Sequence, residues 1–155
     1  MARIGALVLI LLVTACGFEP VYGPGGTGTA LQNRVLVDRP VDRAGYLLVR
    51  QLEDRLGRTG DPAFTLSVDL SLVQDNRAID PDGEIRRYQL VGTAFYTLRD
   101  SGTGEVVSTE TISNFVGYSA TGQTVATLAA RRDAEQRLMT ILADQIVQQL
   151  QMSAL

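Results

Sequence analysis

The sequence contains no histidine and no lysine, and every basic side chain among its 155 residues is an arginine. These absences remove the commonest general base, the commonest metal ligand, the Schiff-base amine and the lysine of phosphate-binding loops. The only cysteine is Cys16, so the chain cannot form an internal disulfide. Neither a Gly-x-Ser-x-Gly nor a Ser-x-x-Lys motif occurs. We therefore expect no enzyme activity, no metal site and no diffusible cofactor.

The overall charge argues against a nucleic-acid partner. Seventeen acidic side chains face fourteen arginines, which gives a formal net charge of −3. The only arginine of the first fifteen residues is Arg3, so a chain without that segment is one unit more negative. A protein of this sign has no general attraction to phosphate backbones.

The N-terminus has the organisation of a secretory signal. Arg3 precedes an apolar run from Ile4 to Val13, and small residues follow. A membrane-spanning helix needs about twenty apolar residues, and this run has about half that number. The segment is therefore predicted to be a removable leader.

The end of the leader resembles the lipobox of bacterial lipoproteins. The residues in question are Val13-Thr14-Ala15-Cys16-Gly17. The resemblance implies cleavage between Ala15 and Cys16 and acylation of Cys16, with palmitate among the acyl groups. Gly17 occupies the position where an Asp retains many lipoproteins in the inner membrane, so the expected location is the periplasmic face of the outer membrane. The alternative is an ordinary secreted protein with a stray early cysteine.

The rest of the chain is predicted to contain one domain. Residues 1–15 form the signal peptide, residues 16–30 the acylated N-terminus and a flexible tether, and residues 31–155 a single folded domain. The glycine cluster from Gly23 to Gly28 has no preceding strand, so it indicates a tether and not a phosphate loop.

Hydrophobic periodicity predicts the first half of this domain. A short apolar strand spans Arg34–Asp38 and ends at the Arg39-Pro40 step. Asp42 is a candidate N-cap for a helix over residues 43–56, which Gly57 or Gly60 would end. From Phe64 apolar residues alternate with polar ones, which is typical of a strand, and the polar stretch 74–84 is predicted to be a loop.

The second half is predicted to contain two more strands and a long helix. The third strand covers about residues 85–98, where Gly92 marks either a bulge or a close approach. The fourth, about 106–118, alternates irregularly, which indicates a bulge or an edge position. A helix over about 125–150 repeats Leu138, Leu142 and further apolar residues every four positions. The order β-α-β-β-β-α predicts an α+β two-layer sandwich, with a four-stranded sheet and both helices on one face.

Two segments of this chain resemble the LPS-assembly lipoprotein family, LptE, in its alphaproteobacterial form. One is Cys16-Gly17-Phe18-Glu19-Pro20-Val21-Tyr22-Gly23, and the other is Tyr118 followed by the helix opening Ala126–Ala134. The resemblance implies a non-enzymatic, lipid-anchored outer-membrane protein. Its implied partner is the large β-barrel, LptD-like, that exports lipopolysaccharide, which it plugs and helps to assemble. Direct binding of lipopolysaccharide is a further implication.

Side chains outside the leader also suggest contact residues. Arg77, Arg86 and Arg87 bracket an Asp-Pro-Asp-Gly turn, and guanidinium groups suit the phosphates of lipopolysaccharide. The alternative is a set of local ion pairs with nearby acids on a solvated hairpin. Four aromatic residues also have two interpretations, as a contact surface or as core and cross-strand packing: Tyr88, Phe95, Tyr96 and Tyr118.

A second class of function fits the residues without the family resemblance. A leader followed by an α+β domain is also typical of a general periplasmic lipoprotein that binds a ligand or serves another envelope transporter. Stable association with one large outer-membrane barrel would distinguish the first class from the second.

Overall fold

The computed structural model describes residues 30–79, 85–120 and 123–153. Its elements follow the predicted order β-α-β-β-β-α, and they form an α+β fold. Their bounds are β1 Val35–Val37, α1 Arg43–Leu56, β2 Phe64–Ile79, β3 Ile85–Asp100, β4 Val106–Ser119 and α2 Thr124–Ser153.

Helix α1 begins and ends where its sequence predicts. The Asp42 carboxylate accepts a hydrogen bond of 2.7 Å from the Gly45 N–H, which makes Asp42 the N-cap. Gly57 ends the helix with φ at +78°, a backbone conformation that glycine adopts without steric cost. The apolar stripe of this helix is buried and contains Ala44, Leu48, Leu52 and Leu56.

The four strands form one sheet in the order β1-β2-β3-β4. β1 is parallel to β2, and α1 is the crossover between them. β2, β3 and β4 are antiparallel neighbours. β1 is shorter than the predicted strand, because it pairs with only three residues of β2, from Phe64 to Leu66.

The predicted loop over residues 74–84 is wrong in its first half. β2 continues to Ile79, and its polar residues Gln74, Asp75 and Asn76 pair in register with residues of β3. The ladder supplies hydrogen bonds to the backbone whatever the side chains are, so polar residues extend the strand here. Residues 80–84 lie outside the described part of the chain.

The irregular alternation of β4 has both of the causes considered. The register between β3 and β4 shifts after Leu98, where Arg99 pairs with Val106 and Leu98 with Ser108. β4 is also the last strand of the sheet. The side chains of an edge strand are less completely covered, which allows Glu110 to lie exposed on the same face as buried Ser108 and half-buried Ile112.

Helix α2 packs closely on the centre of the sheet at Gly92. Leu138, Leu142, Ile146 and Leu150 are fully buried, as their spacing predicts. A Cβ built on Gly92 would lie 3.0 Å from methyl carbons of Leu138 and Leu142. Gly92 is therefore a site of close approach and not a bulge. Both helices cover the same sheet face, since the buried even-numbered residues of β3, such as Leu90, Ala94 and Leu98, belong to one core with theirs.

The two helices lie side by side and run in the same direction. Arg43 at the start of α1 pairs with Glu135, and Arg55 near its end pairs with Asp144. Because Glu135 lies beside the start of α1, the roughly ten residues of α2 that precede Glu135 extend beyond α1. In the described residues no helix is both long and apolar enough to cross a membrane.

Candidate interaction surfaces

The sheet face opposite the helices, called here the open face, is rich in hydroxyl groups. Odd-numbered residues of β2, β3 and β4 lie on it, as the pairing registers require. Thr93 and Ser113 hydroxyls lie 3.2 Å apart across the β3–β4 ladder, and those of Thr97 and Thr109 lie 3.4 Å apart. Hydroxyls can donate and accept, so this face offers many hydrogen bonds, and exposed Asp69 adds one negative charge midway along β2.

One apolar row crosses the open face. Val73, Val91 and Phe115 are direct cross-strand neighbours on β2, β3 and β4. Val73 is 54% and Phe115 59% exposed, and Phe95, four residues along β3 from Val91, is 45% exposed. Sequence reasoning missed this row, although apolar residues at polar positions of alternating strands are the signal that finds it.

The aromatic residues divide between the two alternatives. Tyr96 is fully buried and Tyr118 almost so, which makes both core residues. Tyr88 is half-buried, and its ring stacks on that of Tyr118 with the centroids 5.2 Å apart. Of these four residues, Phe95 is the one that lies exposed on the open face.

The far end of the sheet, where β2 ends and β3 begins, holds the candidate lipopolysaccharide contacts. Arg87 is exposed and pairs in register with Ser119 of β4. The side chains of Arg77 and Arg86 lie outside the described part of the chain, as do Ala15 and Cys16. Their predicted roles stay predictions.

Near Arg87, a hydrogen bond from a tyrosine holds the strands of the far end together. The Tyr118 hydroxyl donates to the Gln74 Oε1 at 2.7 Å and so links β4 to β2 across β3. Burial raises the pKa of Tyr118, while the charge of Arg131 on α2 acts in the opposite direction. Tyr118 therefore stays neutral at neutral pH and acts as a structural donor.

The other shifted groups have structural explanations. Burial raises the pKa of Tyr96, whose hydroxyl has no hydrogen-bond partner among the described residues. The Thr103 and Gly102 N–H groups lower the pKa of Asp100 by donating to its carboxylate in the β3–β4 turn. Within residues 30–79, 85–120 and 123–153, no group of three potential ligands could hold a metal ion.

A small groove lies between the end of β1, the start of α1 and β2. Its volume is about 200 Å³, and Val37, Pro40, Leu48, Val68 and Leu70 are among its lining residues. Pockets for small ligands usually have about 300 to 1,000 Å³. The groove therefore does not favour the ligand-binding alternative.

One family model matches most of the chain. The family described as Lipopolysaccharide-assembly, LptE, matches residues 29–150. A Caulobacter crescentus structure described as a lipoprotein is 26% identical, with a TM-score of 0.69, over 83% of this chain and 95% of that one. Comparison with curated protein sequences gives no significant match.

More distant structures share the fold. Rare lipoprotein B from Shewanella oneidensis is 20% identical, with a TM-score of 0.55, over 77% of this chain and 92% of that one. A minor lipoprotein from Acinetobacter baumannii is 15% identical, with a TM-score of 0.55, over 78% and 90%. Because the family match covers most of the described domain, this chain belongs to the LptE family of lipopolysaccharide-assembly lipoproteins.

Proposed function

We propose that this protein plugs and helps to assemble the outer-membrane β-barrel that delivers lipopolysaccharide to the cell surface. The family match over residues 29–150 carries this proposal. Acyl groups on Cys16 would hold the chain at the periplasmic face of the outer membrane, since several buried acyl chains anchor firmly where one does not. The protein performs no catalysis in this role.

The open face is the surface proposed to meet the barrel. The helices already occupy the other face of the sheet, and the interior of a large barrel is polar. A hydroxyl-rich surface can form hydrogen bonds with such a wall, and Asp69 on this face would need a basic group of the wall opposite it. The apolar row adds exposed Val73 and Phe115 beside half-buried Val91, and specific interfaces usually contain such apolar contacts.

The connection to the anchor favours insertion with the far end first. The described chain starts at Ala30, beside the end of α1, where the Asn33 N–H donates to the Leu56 carbonyl. This is the sheet end opposite to Arg87, and the 16 residues of β3 span about 50 Å between the two ends. The tether from Cys16 joins this near end, so the near end would stay at the periplasmic mouth.

Co-purification tests the barrel assignment. The full chain, tagged at its C-terminus and extracted in detergent, is expected to recover one large outer-membrane β-barrel protein, identified by mass. Phe115→Glu places a charge in the apolar row of the open face and should reduce that recovery strongly. Tyr46→Glu is the matched control, because Tyr46 is an aromatic residue of the same exposure, 58%, on α1.

Three outcomes separate the parts of this proposal. Recovery of the barrel by the parent and by Tyr46→Glu, but not by Phe115→Glu, supports it. Equal recovery by all three would mean that the open face is not the interface. Failure of the parent to recover any barrel would refute the plug assignment and favour a general periplasmic lipoprotein.

Lipopolysaccharide contact at the far end rests on the exposed guanidinium of Arg87, with Arg77 and Arg86 as its sequence neighbours. Arg87→Glu should weaken binding of purified lipopolysaccharide, whereas Arg99→Glu should not, because Arg99 is an exposed arginine at the other end of β3. If both variants bind as the parent does, Arg87 is simply solvated.

A further inference from the structure

The outer edge of β2 extends well beyond its short neighbour β1. β1 pairs only with residues 64–66 of β2. Among the described residues, no strand lies beside β2 on its outer side from Val68 to Ile79. Natural proteins usually cover or block an edge of this length.

The backbone groups along this edge point outwards. The Asp38 N–H donates to the Leu66 carbonyl, which shows that Leu66 directs its backbone groups towards β1. Direction alternates along a strand, so Val68, Leu70 and Leu72 direct theirs to the same side. No described loop or helix forms a backbone hydrogen bond with these three residues.

The opposite edge, on β4, has one outward N–H that is already paired. The Phe115 N–H, which points away from β3, donates to the Asn114 Oδ1 at 2.8 Å. The Asn114 amide in turn donates to Gln145 of α2 at 3.3 Å. The Phe115 N–H is therefore not free to pair with an added strand.

Side chains along the β2 edge would suit an added strand. Val68, Leu70 and Leu72 are only half-buried on the helix side. The reason is that α1 lies towards the near end of the sheet, where β1 pairs with β2. The groove beside Val68 continues the line of β1 beyond its last residue. Exposed Asp69 lies on the open-face side, and exposed Asp38 and Asp42 rim the groove.

We infer that β2 extends its sheet by binding an extended segment of the barrel partner at residues 68–72, an inference that rests on the proposed function. Main-chain hydrogen bonds provide affinity in this mode, and alternate side chains provide specificity. The segment carries apolar side chains towards Val68, Leu70 and Leu72, and basic ones towards Asp69. A closed barrel wall has no free edge, so this segment lies outside the barrel strands.

Proline substitutions test the hydrogen bonds. Leu70→Pro removes an outward N–H, which an edge strand tolerates, and Leu70→Ala controls for the lost side chain. Thr111→Pro is the matched change on the β4 edge, and Thr111→Ala controls for the hydroxyl that it removes from the open face. Recovery of the barrel partner by the full chain in detergent should fall about tenfold for Leu70→Pro relative to Leu70→Ala, since a buried backbone acceptor is left unpaired. Thr111→Pro should match Thr111→Ala.

Charge reversal gives a second test that does not involve the backbone. Asp69→Arg should reduce recovery of the barrel partner, and the difference from the parent should shrink as salt is raised. Glu110→Arg, at an exposed acid near the other edge, should have no such effect. A photo-cross-linker at position 70, which lies on the helix side of the same edge, should attach to a segment of the partner outside its barrel strands.

The outcomes distinguish this inference from the proposed function. If the parent and all variants recover the barrel equally, the edge inference is wrong while the plug assignment stands. If the cross-link joins position 70 to a barrel strand, or to a second copy of this chain, a different occupant covers the edge and the inference is overturned. If the parent recovers no barrel, the proposed function itself fails.

Discussion

The contact between Gly92 and α2 predicts a measurable coupling between two substitutions. Leu142 is fully buried, so Leu142→Ala should lower the free energy of unfolding by about 3 to 5 kcal/mol, through lost transfer energy and a cavity. Gly92→Ala places a methyl group 3.0 Å from carbons of Leu138 and Leu142. Such overpacking costs about 1 to 3 kcal/mol, which the lower entropy of an unfolded alanine offsets by about 0.5 to 1 kcal/mol.

The double variant should be less destabilised than the sum of the two single variants. With Leu142 shortened to alanine, the new methyl group at position 92 enters space that Leu142 no longer fills. We expect a coupling of at least about 1 kcal/mol, well above the roughly 0.5 kcal/mol at which distant sites deviate from additivity.

Urea denaturation of the chain lacking its first sixteen residues provides the measurement. Gly117→Ala is the control, because Gly117 lies in the adjacent strand and a Cβ there would meet only the Tyr88 carbonyl oxygen, at 3.8 Å. It should be neutral or slightly stabilising. Additive effects of Gly92→Ala and Leu142→Ala would refute the proposed packing of α2 on the sheet.

Three further predictions address the anchor, the helix end and the turn. Cys16→Ser should abolish labelling by a fatty-acid probe, because a hydroxyl does not replace the thiol in acylation, and equal labelling of parent and variant would contradict the lipobox. Gly57→Ala should destabilise the domain by at least about 1 kcal/mol in urea denaturation, given its positive φ and a Cβ that would overlap the Asn33 side chain, whereas Gly60→Ala, with open space around it, should change little. The lowered pKa of Asp100 stabilises the fold above its unfolded-state pKa of about 3.9, and this contribution is lost as pH falls through the folded-state pKa. Asp100→Asn should therefore reduce the loss of unfolding free energy that occurs as the pH is lowered. An unchanged pH dependence of the unfolding free energy would show that the Asp100 carboxylate does not stabilise the turn.

Local sequence signals determined most of the elements. The helix α1 was predictable from Arg43 to Leu56 because its N-cap, its apolar stripe and its glycine stop are all local features. The alternation from Phe64 predicted β2, and the four-residue repeat from Leu138 predicted the buried side of α2. The family resemblance, carried by short motifs, is confirmed by the match over residues 29–150.

Only the tertiary structure decided where pairing and packing override local preference. Residues 74–79, of which the first four are polar, belong to β2 because β3 pairs with this segment, and composition alone does not report a distant partner strand. The choice between a bulge and a close approach at Gly92 depended on where α2 lies. Likewise, Tyr96 and Phe95 are neighbours in sequence, yet the placement of both helices on one face buries the first and exposes the second. The open face and the unpaired β2 edge exist for the same reason, because each is defined by what the rest of the fold leaves uncovered.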